Sequence, residues 1–212
     1  MRIYRLRAFN LLILNSLIPT LKKHIYLISG LGADERVFQN LDLEGFDVTF
    51  LKWIVPNPDE TIENYATRLL EKITHKKPIL IGLSFGGIMA VEIAKQIETE
   101  KVILVSSAKN KNEIPLLYRR SGALGLHKFI SLQSLKKTGS FTYRQLGVSS
   151  VTDKKIMTAM FSDTNSVFFK WAIDKIVKWE NITEVQNIFH IHGSSDKILP
   201  YKYVKCLSLI HI

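Results

Sequence analysis

Gly82-x-Ser84-x-Gly86 is the stretch whose residue types and spacing point most directly to chemistry. A serine hydroxyl attacks carbonyl carbon only if it is exposed and a base takes its proton. Glycines two positions to either side leave room for a tight, strained turn that thrusts the hydroxyl outward. Before the turn, Ile79-Leu80-Ile81, bounded by Lys77 and Pro78, is a short, wholly apolar run of the kind that forms a buried parallel strand. After it, an apolar, alanine-containing segment ending at Lys95-Gln96 reads as a helix. Strand, sharp turn and helix in that order make the pattern a nucleophile elbow. A helix starting there aims its first amides and the positive end of its dipole where an oxyanion would develop. The competing reading is a glycine-rich strand-to-helix turn with an idle serine.

The other chemistry-bearing groups are sparser. Gly30-Leu31-Gly32 is a glycine loop that could cradle phosphate, but it has neither Gly-x-Gly-x-x-Gly nor P-loop spacing. Cys206 and the scattered histidines lack ligand spacing, so no metal and no cofactor is implied. One cysteine excludes an internal disulfide framework and points to a reducing, cytoplasmic compartment.

These groups need elements to hold them. Segments 24–29, 46–51, 79–81, 101–106 and 187–193 read as strands. Asp59, Glu60 and Thr61 open a helix carrying Ile62, Tyr65, Ala66, Leu69, Leu70 and Ile73 at helical spacing. Strand–helix alternation predicts a parallel sheet flanked by helices, an α/β fold in one domain. The alternation stops over 107–186, where helical patterns follow one another at 113–124, 126–135, 152–161 and 166–179, rich in aromatic residues. Most of those aromatics are expected to pack the insertion's own core.

Gly82-Leu83-Ser84-Phe85-Gly86-Gly87 resembles the elbow of the α/β-hydrolase family. The resemblance implies Ser84 as nucleophile, the Phe85 backbone N–H as one oxyanion donor and the Leu31 N–H as the other. Gly30 and Gly32 would let that second loop approach the substrate, although the family more often has His-Gly where this chain has Ser29-Gly30. His192-Gly193-x-x-Asp196-x-x-x-Pro200 is similar to the family's acid loop and implies Asp196 as the residue that orients a catalytic histidine. A turn aspartate capping the next segment is the plainer alternative. An insertion at 107–186 looks like the family's cap, favouring a small-molecule substrate with an apolar acyl or aromatic part. The core would be 24–106 and 187–212, preceded by an extension at 1–23. The implied activity is serine hydrolysis of a small-molecule ester or thioester through an acyl-enzyme. A lyase on the same fold would use the same triad, and a non-catalytic or incomplete chain of this fold is the rival. An epoxide hydrolase or dehalogenase is disfavoured, because those resemble an aspartate where this elbow holds Ser84.

The base is the weak point. His211 alone follows Asp196, and it is the candidate base in the hydrolase order of serine, acid, histidine. A helix and a strand cannot both fit before it. The tail 206–212 departs from the family and resembles translated sequencing-adapter read-through, so the final strand and its histidine are expected to be missing.

At 212 residues, 46% hydrophobic, the chain suits one globular domain. Its net charge of +10 is uneven. Residues 1–23 carry five basic residues and no acid; 107–144 carries eight against Glu113 alone. The second cluster could favour an anionic substrate or a membrane surface, with a solvated helical face as the plainer account. No aromatic-basic interleaving suggests nucleic acid. No run approaches the roughly 18 apolar residues of a membrane span, so stable insertion is not expected. Arginines ahead of Leu11-Leu12-Ile13-Leu14 copy a secretory signal, but Asn10, Asn15 and Ser16 interrupt it and no small-x-small cleavage site follows.

Overall fold

The computed structural model describes residues 23–130, 139–206 and 208–210. The signal-like segment thus lies outside the described residues, as does His211. Six strands form one sheet: β1 (His24–Ile28), β2 (Asp47–Phe50), β3 (Ile79–Leu83), β4 (Lys101–Val105), β5 (Ile188–Gly193) and β6 (Ser208–Ile210). Their spatial order is β2-β1-β3-β4-β5-β6, and every pairing is parallel. The apolar residues of the central strands alternate between two cores. Ile25, Leu27, Ile79, Ile81 and Ile103 face one; Tyr26, Ile28, Leu80, Val102 and Leu104 face the other. A strand buried on both faces has no polar side to show, which is why these strands read as continuous apolar runs.

The first helix, α1 (Ile62–Leu70), buries Ile62, Tyr65, Ala66 and Leu69 on one stripe, and the Thr61 side chain caps it by accepting from the Asn64 amide at 3.2 Å. The second, α2 (Phe85–Ala94), is buried from Phe85 through Ile93. A helix that is apolar all round must be covered all round, and α2 lies between the sheet and α1.

The insertion is helical among the described residues: α3 (Leu116–Ala123), α4 (Gly139–Gln145), α5 (Val151–Asp163) and α6 (Ser166–Val177). Three details differ from the sequence reading. The segment expected as a helix over 126–135 is a 3-10 turn, Leu126–Phe129, that runs into extended backbone at Ile130; residues 131–138 lie outside the described residues. The α4 segment has no periodic stripe, and its Gly, Ser and Thr are poor helix formers, so it was not anticipated. The expectation that no final strand is present is corrected by β6, which pairs with β5 in the register His192 with Leu209 and Gly193 with Ile210. Among the described residues 194–206 the connection to it holds one 3-10 turn, Tyr201–Tyr203, and no α-helix, and a dozen or so residues suffice for a parallel crossover. No described helix is long and apolar enough to cross a membrane.

Candidate active site

Because the strands are parallel and in register, the segments leaving β1, β3, β4 and β5 emerge along one edge of the sheet, where ligands of such folds collect. Ser84 leaves β3 there. From Pro78 through Ile93 it is the one residue that is not buried. Its backbone has φ 52° and ψ −119°, a conformation that L side chains rarely adopt and that a tight surround must enforce. Three hydrogen bonds supply part of that surround. The Ser84 amide donates to Val105 O at 2.9 Å, and its carbonyl accepts from the Gly87 amide at 2.9 Å. The same carbonyl accepts from Ser107 Oγ at 2.6 Å.

The flanking glycines are required by contact. A Cβ on Gly82 would sit 2.4 Å from Gly86 O, and one on Gly86 would sit 2.2 Å from Ile28 O and 2.4 Å from Ser29 O. Strand and helix can cross this closely only if neither carries a side chain there.

Ser84 faces a cavity of about 130 Å³ whose lining includes Gly30, Leu31, Phe85 and Asp196. The structure thus brings Ser84, the acid and both proposed oxyanion segments to one space. The first intrahelical acceptor of α2 is Ser84 O, taken by Gly87 and Ile88, so the Phe85 amide lies ahead of the helical ladder. Leu31 sits in a turn closed by Ala33 N to Gly30 O at 3.1 Å, and Ser29 Oγ donates to Ala33 O at 2.8 Å. A Cβ on Gly30 would lie 3.4 Å from Ser84 Cβ and 4.0 Å from its Oγ, so the loop runs beside the hydroxyl. Gly32 does something else. Its φ of +73° shapes the turn, and it faces the Phe161 ring of α5 rather than this cavity. A second cavity, about 210 Å³, lies on that side against Asp34, Phe38, Trp53 and Phe168, and contains neither Ser84 nor Asp196.

Asp196 is buried. Its Oδ1 accepts from the Ile198 and Leu199 amides, both at 2.9 Å. That is the turn-capping geometry of the plainer sequence alternative, and it coexists with a place on the cavity wall. The Asp196 Oδ2 atom lies 3.6 Å from His192 Nε2. That nitrogen already donates to Leu199 O at 2.7 Å, and His192 is wholly buried. His192 therefore buttresses the Asp196 loop. His190 Nε2 lies 3.4 Å from His192 Nδ1, and its own Nδ1 is 4.0 Å from Glu113 Oε2. Burial above all, then the charges of His192 and Lys109, push the His190 imidazole down to about 3, against a backbone contact at Ser107 that raises it. Among the described residues, no histidine lines the Ser84 cavity.

The insertion supplies Ile114, Pro115, Tyr118, Leu146 and Ile176 to the cavity wall. Tyr118 OH donates to Ile198 O at 2.9 Å. Burial first, then the charges of Asp196 and Tyr203, raise its phenol above the ordinary value. Behind the elbow, the Trp53 ring stacks on Phe85 at 5.3 Å and on Phe168 of α6 at 4.9 Å. Sequence reasoning did not single out Ser107, Tyr118 or Trp53 as site neighbours. No spacing rule links them to Ser84; only the strand order brings them together. Among the described residues no group of acidic, histidine or cysteine side chains could hold a metal ion.

No protein-family model matches the sequence, and no curated protein sequence does either. Solved structures do. The chain is similar to a hydrolase from Pseudomonas aeruginosa PA01, with TM-score 0.65 and 14% identity over 90% of this chain and 82% of that one. It is similar to a bromoperoxidase from Bacillus anthracis, with TM-score 0.60 and 16% identity over 90% of this chain and 83% of that one. A third is RedJ, a thioesterase of the prodiginine biosynthetic pathway in Streptomyces coelicolor, with TM-score 0.59 and 14% identity over 94% and 85%. With a parallel sheet, a strained serine at the β3–α2 turn and these neighbours, the chain has the α/β-hydrolase fold.

Proposed function

We propose that this chain is built as a serine hydrolase of small-molecule esters or thioesters. The observation that carries the reading is Ser84, held at φ 52° and exposed to an apolar cavity shared with Asp196. In the proposed reaction Ser84 Oγ attacks the acyl carbon while a base takes its proton. The Phe85 and Leu31 amides hold the oxyanion. Collapse of the tetrahedral intermediate expels the alcohol or thiol, which receives that proton, and water then releases the acid and restores the hydroxyl. Asp196 would orient the base, for which His211, next in sequence after β6, is the candidate. The insertion acts as a cap. Leu31, Ile88, Ile114 and Ile176 on the wall, with a volume near that of cavities that take one aromatic ring, favour a short apolar acyl or aryl group.

One observation favours a second reading. The histidine nearest Asp196 among the described residues spends its Nε2 proton on Leu199 O, so the chain could bind such molecules without activating Ser84. A fluorophosphonate probe and a short-chain aryl ester separate the two, applied to the unaltered chain and to Ser84→Ala and His211→Ala. Labelling confined to Ser84 and turnover lost in Ser84→Ala support the hydrolase. Turnover that survives Ser84→Ala sinks it. A fall of about 10³-fold or more in kcat on His211→Ala assigns the base there. An aryl ester that binds without labelling or turnover favours the binding protein.

A further inference from the structure

Helix α3 turns the wrong side outward. Its exposed positions are Leu116, Leu117, Arg120, Ala123 and Leu124, the i, i+1, i+4, i+7, i+8 set that makes one continuous stripe. On a solvated helix that stripe is polar, yet here it is leucine-rich with one arginine. Leu117 and Leu124 are each 74% exposed. The following turn continues the surface with Phe129, 85% exposed, beside the exposed Lys128. The opposite face of the helix is satisfied, since Gly122 packs directly on Val177 of α6. Among the described residues the apolar stripe is left exposed, and patches of this kind mark interaction surfaces.

Charge decides the occupant. From 114 to 152 the sequence contains six basic residues and not one acid. A second copy would set Arg120 and Lys128 against themselves across a two-fold axis, which like-charge repulsion opposes. Protruding leucine and phenylalanine side chains interspersed with cations match the boundary between acyl chains and anionic headgroups. We infer that the Leu116–Phe129 surface docks the chain peripherally on an anionic lipid bilayer. The adjoining Pro115 and Tyr118 line the Ser84 cavity, so the docking surface and that cavity meet at α3. The inference does not depend on catalysis.

Sedimentation of the full chain, carrying Ser84→Ala so that turnover plays no part, with vesicles of pure phosphatidylcholine or of phosphatidylcholine with phosphatidylglycerol tests it. Binding is expected to the anionic vesicles and to weaken with salt. Arg120→Gln and Lys128→Gln are each expected to lower the partition constant about five-fold, and Leu117→Gln with Phe129→Gln at least about ten-fold. Because the chain as a whole carries a net charge of +10, Lys76→Gln with Lys155→Gln serves as the control and is expected to leave binding within about two-fold at moderate salt, where only contacting charges count. All six sites are exposed, and circular dichroism checks that each variant is folded. Binding that ignores the leucine and phenylalanine changes, or that falls equally in the control, overturns the inference. So does a concentration-dependent dimer that Phe129→Gln disperses, or an absence of vesicle binding with capture by an acidic protein instead.

Discussion

At the scale of single residues, the site rests on contacts that tolerate no added atom. Gly86 approaches the Ile28 and Ser29 carbonyls so closely that a methyl group would have to displace backbone at the end of β1. Gly86→Ala is expected to cost about 3 kcal/mol, read as a lowered urea midpoint, with loss of fluorophosphonate labelling because the elbow can no longer close. A midpoint unchanged within error would show that the close crossing is not what requires glycine. Gly82, Gly86 and Ser84 were legible in the sequence, since a strained turn between strand and helix needs small residues at fixed offsets. Gly32 packs against Phe161, a contact the sequence does not show. A positive φ and an aromatic neighbour 129 residues away in the chain leave no local trace in sequence.

At the scale of elements, the elbow helix is held to the insertion as well as to the sheet. Glu92 of α2 is fully buried. Lys95 donates to its two oxygens at 3.0 and 2.8 Å, and Trp179, just beyond α6, donates from Nε1 at 2.7 Å. Trp171 on α6 donates to Glu60 O at 2.8 Å. These indole bonds fix α6 against the core while its Phe168 packs near Phe85, with ring centroids 6.2 Å apart. Trp179→Phe keeps the ring and removes the donor; because Lys95 still neutralises the carboxylate, the expected loss is about 1–2 kcal/mol, measured by denaturant unfolding. A stability equal to that of the unaltered chain would mean the bond contributes nothing. The helices themselves were legible from apolar periodicity. Their pairing with α2 was not, because a lone glutamate inside an apolar helix does not announce its partner.

At the scale of the molecule, the C-terminal part is tied to the centre through buried polar groups. Glu113 accepts from the Lys109 amide at 2.7 Å and from the Lys205 amide at 3.0 Å, next to the His190–His192 pair at the end of β5. His190 binds its proton far less readily folded than unfolded, with its value down to about 3 against 6.5. Between those values the unfolded chain takes up more protons. Stability is therefore full above about pH 6.5 and declines as the pH falls towards 3, by up to about 1.4 kcal/mol per pH unit from this group. Urea midpoints measured across that range should show the slope, and His190→Asn should flatten it. A slope unaffected by the substitution would place the acid sensitivity elsewhere.

The sequence alone determined the parallel sheet, the strand-to-helix serine turn and the acid loop behind the last long strand. Each is encoded locally, as a continuous apolar run or as glycines and an aspartate at fixed spacing. The tertiary structure decided what those local signals cannot carry: that β6 adds to the sheet edge, that His192 serves Leu199, that Ser107 holds the elbow carbonyl, and that α3 shows its leucines outward. Such outcomes depend on strand order and on which faces remain after packing, and those are properties of the assembled chain.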